Sequence, residues 1–118
     1  MDRPLTDRRD SPRLASSQLH IDQATLRPGY PVSVVDLSAT GAQVESVRQL
    51  RPGSRVHVRL ASGNRILAVA AQVVRCAVFS LHPEDGVTYR GALRFEEECR
   101  SFWDEQARAA HAAVGVAM

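Results

Sequence analysis

The sequence predicts a mainly β protein, a small antiparallel β-barrel of six or seven strands with one C-terminal α-helix. Several stretches alternate between apolar and polar residues, which is the period of a half-buried strand. Turn signals containing Gly or Pro separate these stretches at intervals of about ten residues, as in small barrels. After residue 96 the apolar period changes to about 3.6 residues, which is the period of a helix.

The strands follow from local alternation. The clearest case runs from Val56 to Leu60, where Arg55, His57 and Arg59 take the opposite face. Other strands are predicted over residues 19–26, 32–37, 42–45, 66–74 and 89–95, with residues 75–81 extending or repeating the long strand 66–74. The short loop 38–41 joins two of these strands into a hairpin. We expect its last residue, Gly41, to adopt a positive φ.

Four segments are predicted along the chain. Residues 1–13 are rich in charge and proline and show no period, which indicates a flexible Arg-rich arm. Residues 14–97 form the barrel, residues 98–112 the helix, and residues 113–118 a frayed tail. Phe102 and Trp103 are adjacent on the helix. We therefore expect one to pack on the barrel end and the other to be an exposed candidate for a partner contact.

Composition excludes several functional classes. No apolar run approaches the roughly 20 residues that span a bilayer, and the N-terminus lacks the apolar stretch of a signal peptide. Cys76 and Cys99 are too few for a disulfide framework, so a cytoplasmic location is expected. The four His residues lie far apart, and no nucleophile–base motif is present, so we expect no metal, no cofactor and no enzyme activity.

The charge of the chain is modest, but its arginines are unevenly placed. All 15 basic residues are Arg, and the formal net charge is only +2. A charge this small does not by itself indicate nucleic-acid binding, so neither DNA nor RNA is expected as a partner. Three of the arginines cluster before the first strand, and this cluster is the first of two informative motifs.

The two motifs are separated by 23 positions between Arg13 and Asp36. The first is Arg9-Asp10-Ser11-Pro12-Arg13, an Arg-x-x-x-Arg pair preceded directly by Arg8. The second is Asp36-Leu37-Ser38-Ala39-Thr40-Gly41, an Asp-x-Ser-x-x-Gly sequence at the end of a strand. Each is weak alone, whereas their joint occurrence before a barrel-like strand pattern is informative.

In this order and spacing, the motifs resemble those of the PilZ domain family, bacterial receptors for cyclic di-GMP. The resemblance covers about residues 8–97. It includes the turn Arg51-Pro52-Gly53, the strand segment Val73-Val74-Arg75 and the closing segment Gly91-Ala92-Leu93-Arg94-Phe95. It implies a PilZ-like barrel that binds cyclic di-GMP and acts on a downstream protein, which in the family belongs to motility, polysaccharide or regulatory machinery.

The residue types suit this ligand. Guanidinium groups match phosphate oxygens and the O6/N7 edge of guanine bidentately, and a carboxylate accepts from the guanine N–H groups. By the resemblance, Arg9 and Arg13 clamp phosphate and guanine, with Arg8 as an extra contact. Asp36 and Ser38, two positions apart on an extended segment, are expected to share one face and to bind a base. Gly41 shapes the loop and lets the ligand approach the backbone.

Other interpretations of these residues remain. The arginines can be solvated charges on a tail, and Asp36 and Ser38 can form a turn by bonding the local backbone. Two other functions fit a barrel of this kind: a PilZ-fold adaptor that binds no nucleotide, and a small nucleic-acid-binding barrel that uses the Arg-rich arm with Arg55 and Arg59. The number of bound ligands and the oligomeric state are open.

Overall fold

The computed structural model describes residues 12–27, 29–82, 84 and 86–117. Most of the expected arm, residues 1–11, therefore lies outside the described residues. The described elements, in chain order, are β1 (Leu14–Ala15), a 3-10 turn (Ser16–Gln18), β2 (Gln23–Arg27), β3 (Tyr30–Pro31), β4 (Ser33–Leu37), β5 (Gly41–Ser46), β6 (Arg55–Ser62), β7 (Arg65–His82), β8 (Gly86–Phe95) and the helix α1 (Arg100–Ala117).

The eight strands form one curled antiparallel sheet in the order β1-β4-β5-β8-β7-β6-β2-β3. The mainly β class is confirmed, but two two-residue strands, β1 and β3, raise the strand count above the predicted six or seven. The sheet curls into a half-barrel and not into the closed barrel that the sequence predicts. Between β2 and β4 the described backbone makes one hydrogen bond, from Val32 N to Ala24 O at 3.0 Å. Pro31 has no N–H group with which to extend a ladder there.

The core lies on the concave face of the sheet. Along β6 the buried residues Val56, Val58 and Leu60 alternate with exposed ones, as the sequence pattern predicts. Leu26 of β2 and Leu37 of β4 are also almost completely buried and face the same core. Along β6, this alternation leaves the outer face to Arg55, His57 and Arg59.

Helix α1 closes one end of the half-barrel. Phe102 is buried in the core, and the Gln106 side chain accepts a hydrogen bond from His20 N (2.7 Å) and donates one to Ser62 Oγ (2.8 Å). The expectation that only one of the adjacent aromatics packs is wrong, because Trp103 also packs against the core. The helix begins at Arg100 and ends at Ala117, beyond the expected end at residue 112. Its Ala-rich sequence favours this continuation.

Strand β7 is the longest element of the sheet, with 18 residues. Its pairing with β6 ends at Gln72, whereas its pairing with β8 continues to His82 opposite Gly86. The register shifts between Val73 and Arg75 and again between Val78 and Ser80, which marks two bulges. Residues 75–82 therefore continue the predicted strand 66–74 and project beyond β6. From Ser80 onward, β7 and β8 form a hairpin without a third strand.

Candidate functional site

The structure brings Arg13 and Asp36 together. Strand β1 pairs with β4 so that Leu14 lies opposite Leu37 and Ala15 opposite Asp36. This register places Arg13 beside the end of β4, where its Nη1 donates to Asp36 Oδ1 at 2.5 Å. The two side chains are 45% and 20% exposed. One residue from each motif thus forms a charge-assisted contact that a ligand in solution can reach.

Ser38 occupies a different environment from the one the sequence predicts. Its side chain is buried, with a relative exposure of 1%. Its Oγ accepts hydrogen bonds from the backbone N–H groups of Thr40 (3.2 Å) and Gly41 (3.1 Å). The expected arrangement, with Asp36 and Ser38 side by side on one open face, is not present. Ser38 instead holds the turn between β4 and β5, the turn-forming interpretation of this motif.

Gly41 is required by a close approach and not by a positive φ. Positive φ values occur in the described chain at Gly29, Gly53, Gly63 and Gly86, so the expectation of one at Gly41 is wrong. Gly41 pairs with Arg94 of β8, and a Cβ atom at Gly41 would lie 2.3 Å from the carbonyl oxygen of Leu93. The glycine therefore allows β5 to pair closely with β8 directly after the turn.

The turn of residues 38–41 is tied to helix α1 and to the segment before it. Thr40 O accepts from Phe95 N at 2.8 Å, and Ala39 O accepts from Cys99 N at 2.7 Å. The indole N–H of Trp103 donates to Leu37 O at 3.3 Å. These bonds connect the backbone on both sides of the Asp-x-Ser turn to the start of the helix. A shift of the turn would therefore also displace the start of the helix.

The strand register identifies neighbours of the site that sequence reasoning missed. Gln43 of β5 lies opposite Asp36, and Ala92 of β8 lies opposite Gln43. Arg94, two residues further along β8, is exposed on the same convex face as Ala92. The signal that could have found Gln43 and Arg94 is the outward-facing half of each alternating strand, once the strand order is known.

Arg8 and Arg9, the other two predicted site arginines, lie outside the described residues. No cluster of three or more His, Cys, Asp or Glu suited to a metal ion occurs in the described part of the chain. Within that same part, no helix is long and apolar enough to cross a membrane. Burial raises the pKa of the Cys99 thiol to about 11, with help from Glu97 and Glu98, so this thiol is poorly suited to act as a nucleophile.

The sequence profile of the PilZ domain matches residues 7–97 of this chain, which is more than half of its length. The matched range contains both motifs, including Arg8 and Arg9, and every described strand. No curated protein sequence matches the chain at a significant level.

Solved structures share this fold at low sequence identity. The PilZ domain of YcgR from Escherichia coli, determined with c-di-GMP, is 17% identical with a TM-score of 0.61, and the alignment covers 93% of this chain and 94% of that one. The Bacillus subtilis inhibitor of motility (MotI/DgrA) is 15% identical with a TM-score of 0.57, covering 91% and 49%. MrkH of K. pneumonia, in complex with c-di-GMP, is 14% identical with a TM-score of 0.54, covering 90% and 51%. This chain spans about half the length of the last two.

Proposed function

This chain belongs to the PilZ domain family, and on that premise we propose that it is a receptor for cyclic di-GMP that signals ligand binding to a partner protein. The observation that carries the proposal is the contact between Arg13 and Asp36. The two motifs are 23 residues apart in sequence, yet one residue of each lies at the same point on the convex face. A guanidinium and a carboxylate there present the two kinds of group that phosphate and guanine require.

The ion pair between Arg13 and Asp36 can be exchanged for ligand contacts at small cost. Exposed ion pairs contribute only about 0–1 kcal/mol to stability, because solvent screens the charges and the side chains lose rotamer freedom. In the proposed complex, Arg13 turns to a phosphate or to a guanine edge, and Asp36 accepts from guanine N–H groups. Each such charge-assisted hydrogen bond contributes about 1.5–3 kcal/mol, so the exchange favours the ligand.

Arg8 and Arg9 complete the proposed clamp from the N-terminal side. Ordering the segment that carries them costs about 1–2 kcal/mol per residue, which offsets part of the contact energy. We expect the balance to leave micromolar affinity, a binding free energy of about −8 kcal/mol. The same balance makes binding a switch, because the arm becomes ordered only when the ligand supplies contacts for it.

Hydrogen bonds connect the proposed binding site to helix α1. Leu37 O and Ala39 O, on either side of Ser38, bond Trp103 and Cys99 at the start of α1. A ligand that moves the backbone at Asp36 therefore changes the environment of the helix. In this proposal a partner protein in the cytoplasm binds the ordered arm, the helix or both. The domain acts by binding and has no catalytic step.

Isothermal titration calorimetry with cyclic di-GMP tests the proposal. The wild type should give a saturable signal at low-micromolar or higher affinity, and Arg9→Ala and Asp36→Ala should each weaken it about tenfold or more. Arg59→Ala is the matched control, because Arg59 is an exposed arginine on the β6 strand away from the motifs. It should leave the affinity unchanged.

Other outcomes would assign a different function. An adaptor that binds no nucleotide would give no heat with the wild-type protein. A nucleic-acid-binding barrel would prefer single-stranded oligonucleotides to cyclic di-GMP, and its affinity would fall steeply with salt. Either result would overturn the proposal, whereas equal losses in Arg59→Ala and Asp36→Ala would overturn the assignment of the site.

A further inference from the structure

The outer half of β7 presents a free backbone edge. Beyond Gln72 the β6 side of β7 makes two further backbone hydrogen bonds, both at Val73, with Ser54 and Gly53. Within the described residues, no backbone hydrogen bond joins residues 75–82 to any strand except β8. Eight consecutive residues therefore expose alternate N–H and C=O groups along this edge, which is a template for pairing with another strand.

The side chains along this edge are unusual for one that stays unpaired. Val78, Phe79 and Leu81 are 55%, 51% and 71% exposed. Between Arg75 and His82 the sequence contains no charged residue, no Gly and no Pro. Natural edge strands are normally protected by charges, proline or strong bulges. Here one bulge lies near Phe79, and the Arg90 guanidinium lies 3.8 Å from the centroid of the Phe79 ring. A two-stranded hairpin alone is also only marginally stable in water, so added packing would stabilise it.

The charges along the hairpin favour an antiparallel partner of the same sequence. Arg75 lies at the base of the hairpin and is exposed, and its side chain makes no hydrogen bond or ion pair among the described residues. Glu84 lies at the exposed tip. In an antiparallel pair of two copies, the end of each hairpin that carries Arg75 lies beside the tip of the other hairpin, which carries Glu84. The edge is therefore complementary to itself, as a two-fold interface requires.

We propose that two copies of this protein pair through residues 77–82 of β7 to form a symmetric dimer with a continuous sheet. With the two-fold axis between Phe79 and Ser80, Val78 lies opposite the partner's Leu81. Arg75, just before the paired segment, then lies near the turn that carries the partner's Glu84. Each of these contacts occurs twice. In this arrangement the free β7 edge of each copy pairs with that of the other, so the assembly closes at two copies. In the strand order, β5 and β8 separate β7 from the motif site at β1 and β4, so this pairing leaves that site open.

Sedimentation equilibrium of the full chain without ligand tests this proposal over about 5–500 μM, the range expected for a small interface. The wild type should show a reversible monomer–dimer equilibrium. Leu81→Lys and Val78→Lys should each weaken dimerisation about tenfold or more, because a charge replaces an apolar contact at the edge. Ile66→Lys is the matched control. Ile66 is a similarly exposed apolar residue (53%) at the opposite end of β7, and its substitution should have no effect.

Charge exchange tests the register. Arg75→Glu and Glu84→Arg should each weaken the dimer, because each places like charges near one another, and the double variant should recover the wild-type constant to within about threefold. Thermal unfolding of each variant at low concentration checks that the monomer still folds. A wild type that stays monomeric, or one that forms larger assemblies, would overturn the proposal. So would a double variant no better than its parents, or an equal loss in Ile66→Lys.

Discussion

Trp103 donates its indole N–H to the carbonyl oxygen of Leu37 at 3.3 Å, so the helix is bonded to the residue that directly follows Asp36. The ring is also packed against the core beneath the sheet. Because β4 carries Asp36 and Leu37 on successive positions, a backbone shift at one is transmitted to the other. This bond links the candidate site to the helix by a single side chain.

The first prediction uses Trp103 as an internal reporter of binding. It is the chain's only Trp, so intrinsic fluorescence has one source of indole signal. Cyclic di-GMP should change the intensity or the emission maximum, because the hydrogen bond to Leu37 O reports the position of β4. The titration curve should give the same dissociation constant as calorimetry.

Trp103→Phe is the control for that titration. It should remove the fluorescence change while leaving the calorimetric signal in place, since Trp103 is proposed to report binding and not to contact the ligand. Full calorimetric binding with no fluorescence change in the wild type would show that β4 does not move at Leu37.

The second prediction concerns the kind of cation at position 13. Arg13→Lys keeps the charge but replaces a planar fork of N–H donors with a point charge. We therefore expect it to weaken cyclic di-GMP binding nearly as much as Arg13→Ala, by about tenfold or more, in calorimetry. Arg59→Lys should bind as the wild type does. If Arg13→Lys also retains wild-type affinity, the bidentate or stacked role of Arg13 is contradicted.

The fold class could be predicted from sequence, because alternation is a local property, and the resemblance to the PilZ family implied that the two motifs act at one site. The roles of Ser38 and Gly41 could not. Whether Ser38 faces a ligand or its own turn depends on where the chain reverses. The need for glycine at position 41 comes from the carbonyl oxygen of Leu93, more than 50 residues away in sequence. The free edge of β7 also could not be predicted from sequence, since it depends on where β6 stops pairing with β7.

The third prediction separates two kinds of close contact at glycines. A Cβ at Gly41 would meet the backbone oxygen of Leu93 at 2.3 Å, whereas a Cβ at Gly91 would meet Cδ1 of the Leu50 side chain at 2.6 Å. A side-chain end can rotate away, but a carbonyl in a paired strand cannot. Gly41→Ala should therefore destabilise by about 1–3 kcal/mol or more, and Gly91→Ala by less, in urea unfolding. An equal or reversed order would contradict the close approach of β5 to β8.

The fourth prediction follows from the pKa of Cys99. Burial raises this pKa from 9.0 to about 11, with the charges of Glu97 and Glu98 adding to the effect. At pH 8 the folded protein should therefore hold about a hundredfold less Cys99 thiolate than the unfolded chain. Alkylation by iodoacetamide, followed by mass spectrometry, should be correspondingly slow until urea unfolds the protein. Rapid labelling of Cys99 in the folded protein would contradict this environment.

The same shift has a consequence for stability against pH. The unfolded thiol loses its proton near pH 9.0, whereas the folded thiol holds it to about pH 11. The stabilising contribution is therefore fully present below pH 9.0 and is lost as the pH rises towards about 11. Urea unfolding at pH 8 and pH 10 should show a smaller fall in the free energy of unfolding for Cys99→Ala than for the wild type. Equal falls in the two proteins would mean that other groups account for the whole pH dependence.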